Sequence, residues 1–281
     1  MSATAPYRTL RQRIVAQPAS DGAGVRMLRF FDARAGHLTD PFLMLDLFGT
    51  ENPDDYIAGF PPHPHRGFET VTYMIDGRMR HEDSRGNQGD LEPGGVQWMT
   101  AGRGIVHSEM PQQQEGAMRG FQLWINLPAA MKMVEPGYQD IQPDQIPEVA
   151  LDHGGRVRVV AGEFGGVRGP VKPRPTRPLF LDVHLPAGVA FEIELPAGHR
   201  AFLAPHQGGV NIDGEVIETG TLALLQDDGE RIRFRAGAEG CRCLLVAASP
   251  IGEPIAHYGP FVMNTQAEIM DAIRDYQAGR F

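Results

Sequence analysis

Short runs of β-branched and aromatic residues, each closed by turn chemistry, recur along nearly the whole chain and restrict what it can fold into. Residues 68–75 read FETVTYMI and end at Asp76-Gly77, a hairpin signal. Comparable runs occupy residues 96–100, 104–110, 121–127, 156–162, 179–185 and 241–248. Gly86-Asn87, Pro93-Gly94-Gly95, the glycines at 102 and 104, and Asp213-Gly214 punctuate them. The 34 glycines and 23 prolines follow no G-X-Y period, so they supply turns rather than a fibrous repeat. Many short strands at close spacing predict an all-β sandwich or barrel and argue against a parallel α/β sheet.

The run of strands is interrupted once. Residues 128–153 carry Pro128, Pro136, Pro143 and Pro147 with little strand patterning, and read as a crossover. The proline-rich loop at 169–178 then leads into a second strand series of similar length. The expected division is a first antiparallel β-barrel over 1–130, a crossover and the start of a second barrel over 131–178, and the rest of that barrel over 179–281. A helix over 265–279 closes the chain. Thr265 and Glu268 form a capping box, Ile269, Ile273 and Tyr276 make an apolar stripe, and Gly279 ends it.

Charge and cysteine usage narrow the setting. The formal net charge of −9, with no basic cluster, would repel a phosphate backbone and excludes direct nucleic-acid binding. Two cysteines, Cys241 and Cys243, lie one residue apart and read as a buried strand pair, not a disulfide framework. No stretch approaches 18 apolar residues and the amino terminus lacks an apolar signal core. The expectation is a cytoplasmic protein that engages no membrane, with a monomer as the default.

The chemistry concentrates in two short motifs. In GFPPHPHRGFETV, residues 59–71, His63 and His65 are two apart, so an extended backbone puts both imidazoles on one face. Strict alternation would continue that row through Gly67, Glu69, Val71, Tyr73 and Ile75, polar toward a barrel mouth and apolar deeper in. About forty residues on, AGRGIVHSEMP places His107 and Glu109 on one face of another strand. Nitrogen and oxygen donors without thiolate suit one divalent ion: iron(II), manganese, cobalt, nickel, copper or zinc. Parity alone leaves Glu69 and Glu109 as equal choices for the carboxylate. The remaining histidines, His37, His81, His153, His184, His199, His206 and His257, lack such a pattern and read as surface or hydrogen-bonded groups.

Four segments together resemble the pirin family of the cupin superfamily: DPFLMLDLFG (40–49), FPPHPHRGFETV (60–71), QWMTAGRGIVHSEMP (97–111) and LWINLP (123–128). The terminal HYGPFVMNTQAEI (257–269) is similar as well, so the likeness spans essentially the whole chain. The resemblance implies a bicupin, two jelly-roll barrels with metal only in the first. It implies His63, His65, His107 and Glu109 as ligands, with Glu69 a pocket group. The second half offers no HxH or HxE, in keeping with a metal-free barrel.

Pirin-like proteins are associated with quercetin 2,3-dioxygenase activity, so the resemblance implies an iron(II) enzyme that opens a flavonol ring with dioxygen and releases carbon monoxide. Glu109 is then the catalytic base for the substrate hydroxyl. Phe68, Trp98 and Met99 are expected to contact a small, flat aromatic substrate. The alternative is a non-catalytic, iron- and redox-responsive regulator that binds a transcription factor or a metabolic enzyme. Its surface is expected around Arg26 and the rim of the first barrel.

Overall fold

The computed structural model describes residues 6–281, and its short runs are antiparallel strands grouped into two compact units. The first unit comprises Gln17–Pro143 and Ile251–Phe281. Its larger sheet has seven strands in the order Gly137–Ile141, Val96–Thr100, Phe68–Asp76, Met118–Asn126, Phe42–Thr50, Val25–Phe31 and Gln17–Asp21. A second sheet runs Phe60–His65, Ile105–Pro111, Met79–Asp83 and Gln88–Leu91.

Alternation explains how the two sheets enclose one interior. Met74 and Met118 from the large sheet pack with Met79 and Leu91 from the small one, around Met27, Phe48 and Tyr56. The sheets remain two pairing networks instead of one closed barrel, which is a jelly-roll arrangement. The crossover at 128–153 is more structured than its prolines imply. Its strand Gly137–Ile141 pairs with Val96–Thr100 and completes the edge of the large sheet.

The second unit, the described chain up to Ala16 with Asp144–Pro250, holds one nine-stranded antiparallel sheet. Two long strands dominate it, Arg200–Ile212 and the 18-residue Arg231–Ala248. The latter pairs with Ala190–Glu194 through its first half and with Leu179–Leu185 through its second. The run at 241–248 is therefore the end of a longer strand. Its missed beginning, RIRFRA, alternates Arg231, Arg233 and Arg235 outward with Ile232, Phe234 and Ala236 in the core. Cys241 and Cys243 are buried free thiols in that same core.

The terminal helix, Gln266–Gln277, has the expected capping box, with Thr265 accepting from the Glu268 amide and Glu268 from the Thr265 amide. Ile269 and Ala272 are its buried residues, Ile273 packs beside them, and Tyr276 is 41% exposed. The helix groups with the first unit, whereas the expected boundaries put it with the second barrel. The cause is a set of contacts to the histidine-bearing segment. Arg66 ion-pairs with Asp275 at 2.8 Å, and its guanidinium stacks over the Phe281 ring at 4.4 Å. No helix among the described residues is long and apolar enough to cross a membrane.

Candidate metal centre

The first two imidazoles lie on the edge strand Phe60–His65, and the third on Ile105–Pro111 beside it. The register sets His107 opposite His63, and Ile105 opposite His65. The three rings crowd together, with centroids 4.4 Å apart for His63 and His107, 4.7 Å for His63 and His65, and 5.0 Å for His65 and His107. One ring nitrogen from each lies within 4.8 Å of the other two.

Hydrogen bonding marks this cluster as a site for a cation. Buried polar atoms nearly always have partners. Here His65 Nδ1 and both ring nitrogens of His107 are buried without one. His63 differs, since its Nδ1 is 2.8 Å from the Pro61 carbonyl, which leaves Nε2 as the nitrogen to bind. Burial, followed by the neighbouring imidazoles, holds His65 and His107 well below the usual histidine range. Both rings are therefore neutral at physiological pH, the state a divalent transition-metal ion requires.

Glu109 shares this interior at 4% exposure, but its carboxylate is not among the clustered atoms. Ile105–Pro111 keeps its alternation, so Glu109 stays on the buried face of His107, and the register shift falls in the partner strand; Glu109 Oε1 accepts from the Thr72 hydroxyl at 2.9 Å. Thr72 is also 2.6 Å from Gln122 Oε1. A hydroxyl has one proton to give, so Thr72 can donate to Glu109 while a turned Gln122 amide donates to the Thr72 oxygen. Burial raises the Glu109 carboxyl above the usual range, opposed by His63 and by the Thr72 hydrogen bond.

Strict alternation fails between His65 and Phe68, and this relocates Glu69. Gly67 adopts φ +89°, and a Cβ there would lie 2.0 Å from the Val262 carbonyl oxygen. Past this turn the residues facing the histidines are Phe68 and Thr72, not Glu69. Phe68 lies 5.1 Å from the His65 ring and 4.3 Å from Trp124. Glu69 is buried on the other face, where it accepts from Trp98 Nε1 at 3.1 Å and from Thr100 Oγ1 at 2.7 Å. The expectation of Glu69 and Trp98 as pocket residues is thus corrected, because they satisfy each other away from the cavity. Met99 is buried with Ala101 and Ile105, and Tyr138 packs against them. Arg26 is largely exposed and pairs with Asp55 at 3.1 Å.

A cavity of about 730 Å³ opens on the histidines. His63, His65, Glu109, Gln122 and Trp124 line its inner end, with Met27, Met44, Phe48, Phe60 and Met79 as apolar wall. Arg29 and Asp46 form a two-point ion pair in its lining, at 2.8 and 2.7 Å. Trp124, Gln122 and Thr72 escaped the motif reading, although alternation from Phe68 would have found Thr72. His81, read as a surface or hydrogen-bonded group, is hydrogen-bonded. It faces Asp140 at 3.0 Å and stacks on Tyr138.

Known proteins share this plan. The family model described as Pirin matches residues 24–125, and the Pirin C-terminal cupin domain matches residues 180–281. A pirin-like protein of Caulobacter vibrioides is 48% identical, covering 98% of this chain and all of its own length. The crystal structure of quercetin 2,3-dioxygenase from Acinetobacter baumannii superposes with a TM-score of 0.92 at 35% identity, covering 98% of this chain and 99% of that one. A bacterial pirin from Escherichia coli, in complex with nickel(II), shares the fold at 20% identity and a TM-score of 0.65, covering 88% of this chain and 99% of that one. The chain belongs to the pirin family, and the family's two cupin domain models both match it.

Proposed function

We propose that this protein is a metal-dependent dioxygenase that opens flavonols such as quercetin with dioxygen and releases carbon monoxide. One observation carries the reading: two buried imidazoles with unpartnered ring nitrogens, His65 and His107, cluster with His63 beside a largely apolar cavity. Its likeness to the Acinetobacter quercetin dioxygenase supports the same assignment.

His63, His65 and His107 would hold the ion, with Glu109 as the fourth donor of the set. Iron(II) is the proposed occupant, and zinc, manganese, cobalt, nickel and copper accept the same donors. Such an ion supplies Lewis acidity toward the flavonol 3-hydroxyl and a meeting place for dioxygen.

The chain's own residues account for the rest. Thr72 holds Oε1 of Glu109, which leaves Oε2 to take the 3-hydroxyl proton. Trp124 presents an aromatic surface against which a flat ring can lie, and Met27, Met44, Phe48 and Phe60 keep water from the reacting centre.

The test is direct. Protein stripped of metal and reloaded anaerobically with iron(II) should, on exposure to air, consume dioxygen, bleach quercetin and release carbon monoxide. H107A should lose metal and turnover together, and E109Q should keep the metal while turnover falls at least about a hundredfold. Undiminished activity in the stripped protein would contradict the proposal.

A further inference from the structure

The second unit carries its own cluster of metal-ligating groups. Asp182 and His184 are two apart on Leu179–Leu185, so they share the face opposite Leu181, Val183 and Leu185, which enter the core. His206 comes from Arg200–Ile212, two strands away, with Arg231–Ala248 between them. It is the extra residue of a β-bulge between Pro205 and Gln207. Bulges re-aim side chains, and this one turns His206 toward Asp182.

The donor atoms lie close together. His184 Nε2 is 2.8 Å from Asp182 Oδ2, and His206 Nε2 is 3.0 Å from Asp182 Oδ1. All three residues place one donor within 4.8 Å of the others. Both spacings are hydrogen-bond lengths, and two ligands of a tetrahedral ion at about 2.1 Å stand about 3.4 Å apart, so a small parting of the donors would admit an ion. Asp182 and His206 are buried, whereas His184 reaches a small cleft of about 230 Å³ lined also by Arg156, Gln207, Glu239 and Arg242, an entry path for an ion. Of the arginines on neighbouring strands, Arg158 opposite Asp182 and Arg156 opposite His184 pair with Glu148, at 3.3 Å and 3.4 Å, and Arg242 stands opposite His184 on the other side.

We infer that Asp182, His184 and His206 form a second divalent-metal site, lying in the cupin domain that sequence motifs leave metal-free. Two imidazoles and one carboxylate suit a first-row ion such as zinc(II), with an open position toward the cleft. On binding, the ion replaces the two N–H hydrogens now directed at the carboxylate, and each ring carries its proton on Nδ1 instead. The ion would tie together two strands that do not pair with each other, so its role is to brace the sheet. The inference does not depend on the dioxygenase reading.

Cobalt(II) is a suitable probe, because its visible spectrum reports nitrogen and oxygen ligation. Full-length protein stripped by chelator should bind two equivalents of cobalt, counted by elemental analysis after desalting. H107A should retain one equivalent, and H184A and H206A should each lose the other, with affinity for it down about a hundredfold or more. Circular dichroism checks that each variant is folded, and the intact first centre of H184A and H206A makes the test independent of H107A folding. One equivalent in the wild type and none in folded H107A would overturn the inference and leave the cluster as a hydrogen-bonded network. Two equivalents in both H184A and H206A would overturn it equally.

Discussion

Replacing Lys132 with methionine probes how the histidine-bearing segment is held. The ammonium is 1% exposed and donates to Asn126 Oδ1 at 2.6 Å, to the Gly67 carbonyl at 2.8 Å and to the Val262 carbonyl at 3.0 Å. It thereby ties the turn after His65 to the strand Phe261–Met263. Methionine keeps the length and removes all three donors. Each stranded buried acceptor costs about 1–3 kcal/mol, while removal of a desolvated ammonium returns several. The net expectation is a loss of about 3 kcal/mol, or about 6–12 °C in melting temperature if the first unit unfolds as a domain of ordinary size. The pH dependence supplies an internal control. Burial lowers Lys132 to about 8, against 10.5 in an unfolded chain, so between those values the unfolded state binds more protons. The stability of the wild type relative to K132M should therefore rise by up to about 3 kcal/mol as pH climbs from 8 to 10.5, the difference cancelling the opposite pull of the buried Cys241 and Cys243 thiols, which burial raises. Guanidinium unfolding of metal-free protein at pH 7, 8, 9 and 10 measures both effects. A loss below about 1 kcal/mol, or an unchanged pH profile in K132M, would refute the reasoning.

Other expectations follow from the same geometry. Glu69→Ala strands Trp98 Nε1 and Thr100 Oγ1 and should cost about 2–4 kcal/mol in chemical denaturation, with metal binding at the three histidines intact. Loss of that metal from a folded Glu69 variant would place the carboxylate on the cavity side after all. Burial lowers His65 and His107 well below 6.5 and His199 to about 4, so the unfolded chain takes up protons that the fold resists. Stability of the metal-free protein should be full above pH 6.5 and fall steadily toward pH 4; denaturation midpoints that stay flat across that window would contradict this. Phe281→Ala removes the ring beneath Arg66 and should lower stability by about 0.5–2 kcal/mol in thermal unfolding, with no effect expected on cobalt bound at Asp182.

Much of the site was legible because its signals are local. His63 with His65, and His107 with Glu109, are i, i+2 pairs, and on extended backbone that spacing alone orients side chains alike. The three imidazoles do meet. Glu69 was misread because alternation holds only while the backbone stays extended, and Gly67 at φ +89° resets it. The strand at 231–236 was overlooked because a half-exposed strand rich in arginine lacks the apolar density of a buried one. His184 and His206 read as surface or hydrogen-bonded groups, and both do hydrogen-bond, to Asp182, though no motif foretold that they share it. Their meeting depends on a bulge and on two strands brought near each other by a third, and no spacing along the chain encodes either. The helix was found by its capping box, yet its grouping with the first unit rests on Arg66, Asp275 and Phe281, which are far apart in sequence.

Anomalous diffraction from crystals loaded with iron(II) or nickel(II), with data collected on both sides of the metal absorption edge, tests the centre itself. A strong peak about 2.0–2.2 Å from one ring nitrogen each of His63, His65 and His107 is the predicted result. Metal-saturated crystals with no peak among those rings, or with the ion bound elsewhere in the first unit, would contradict it.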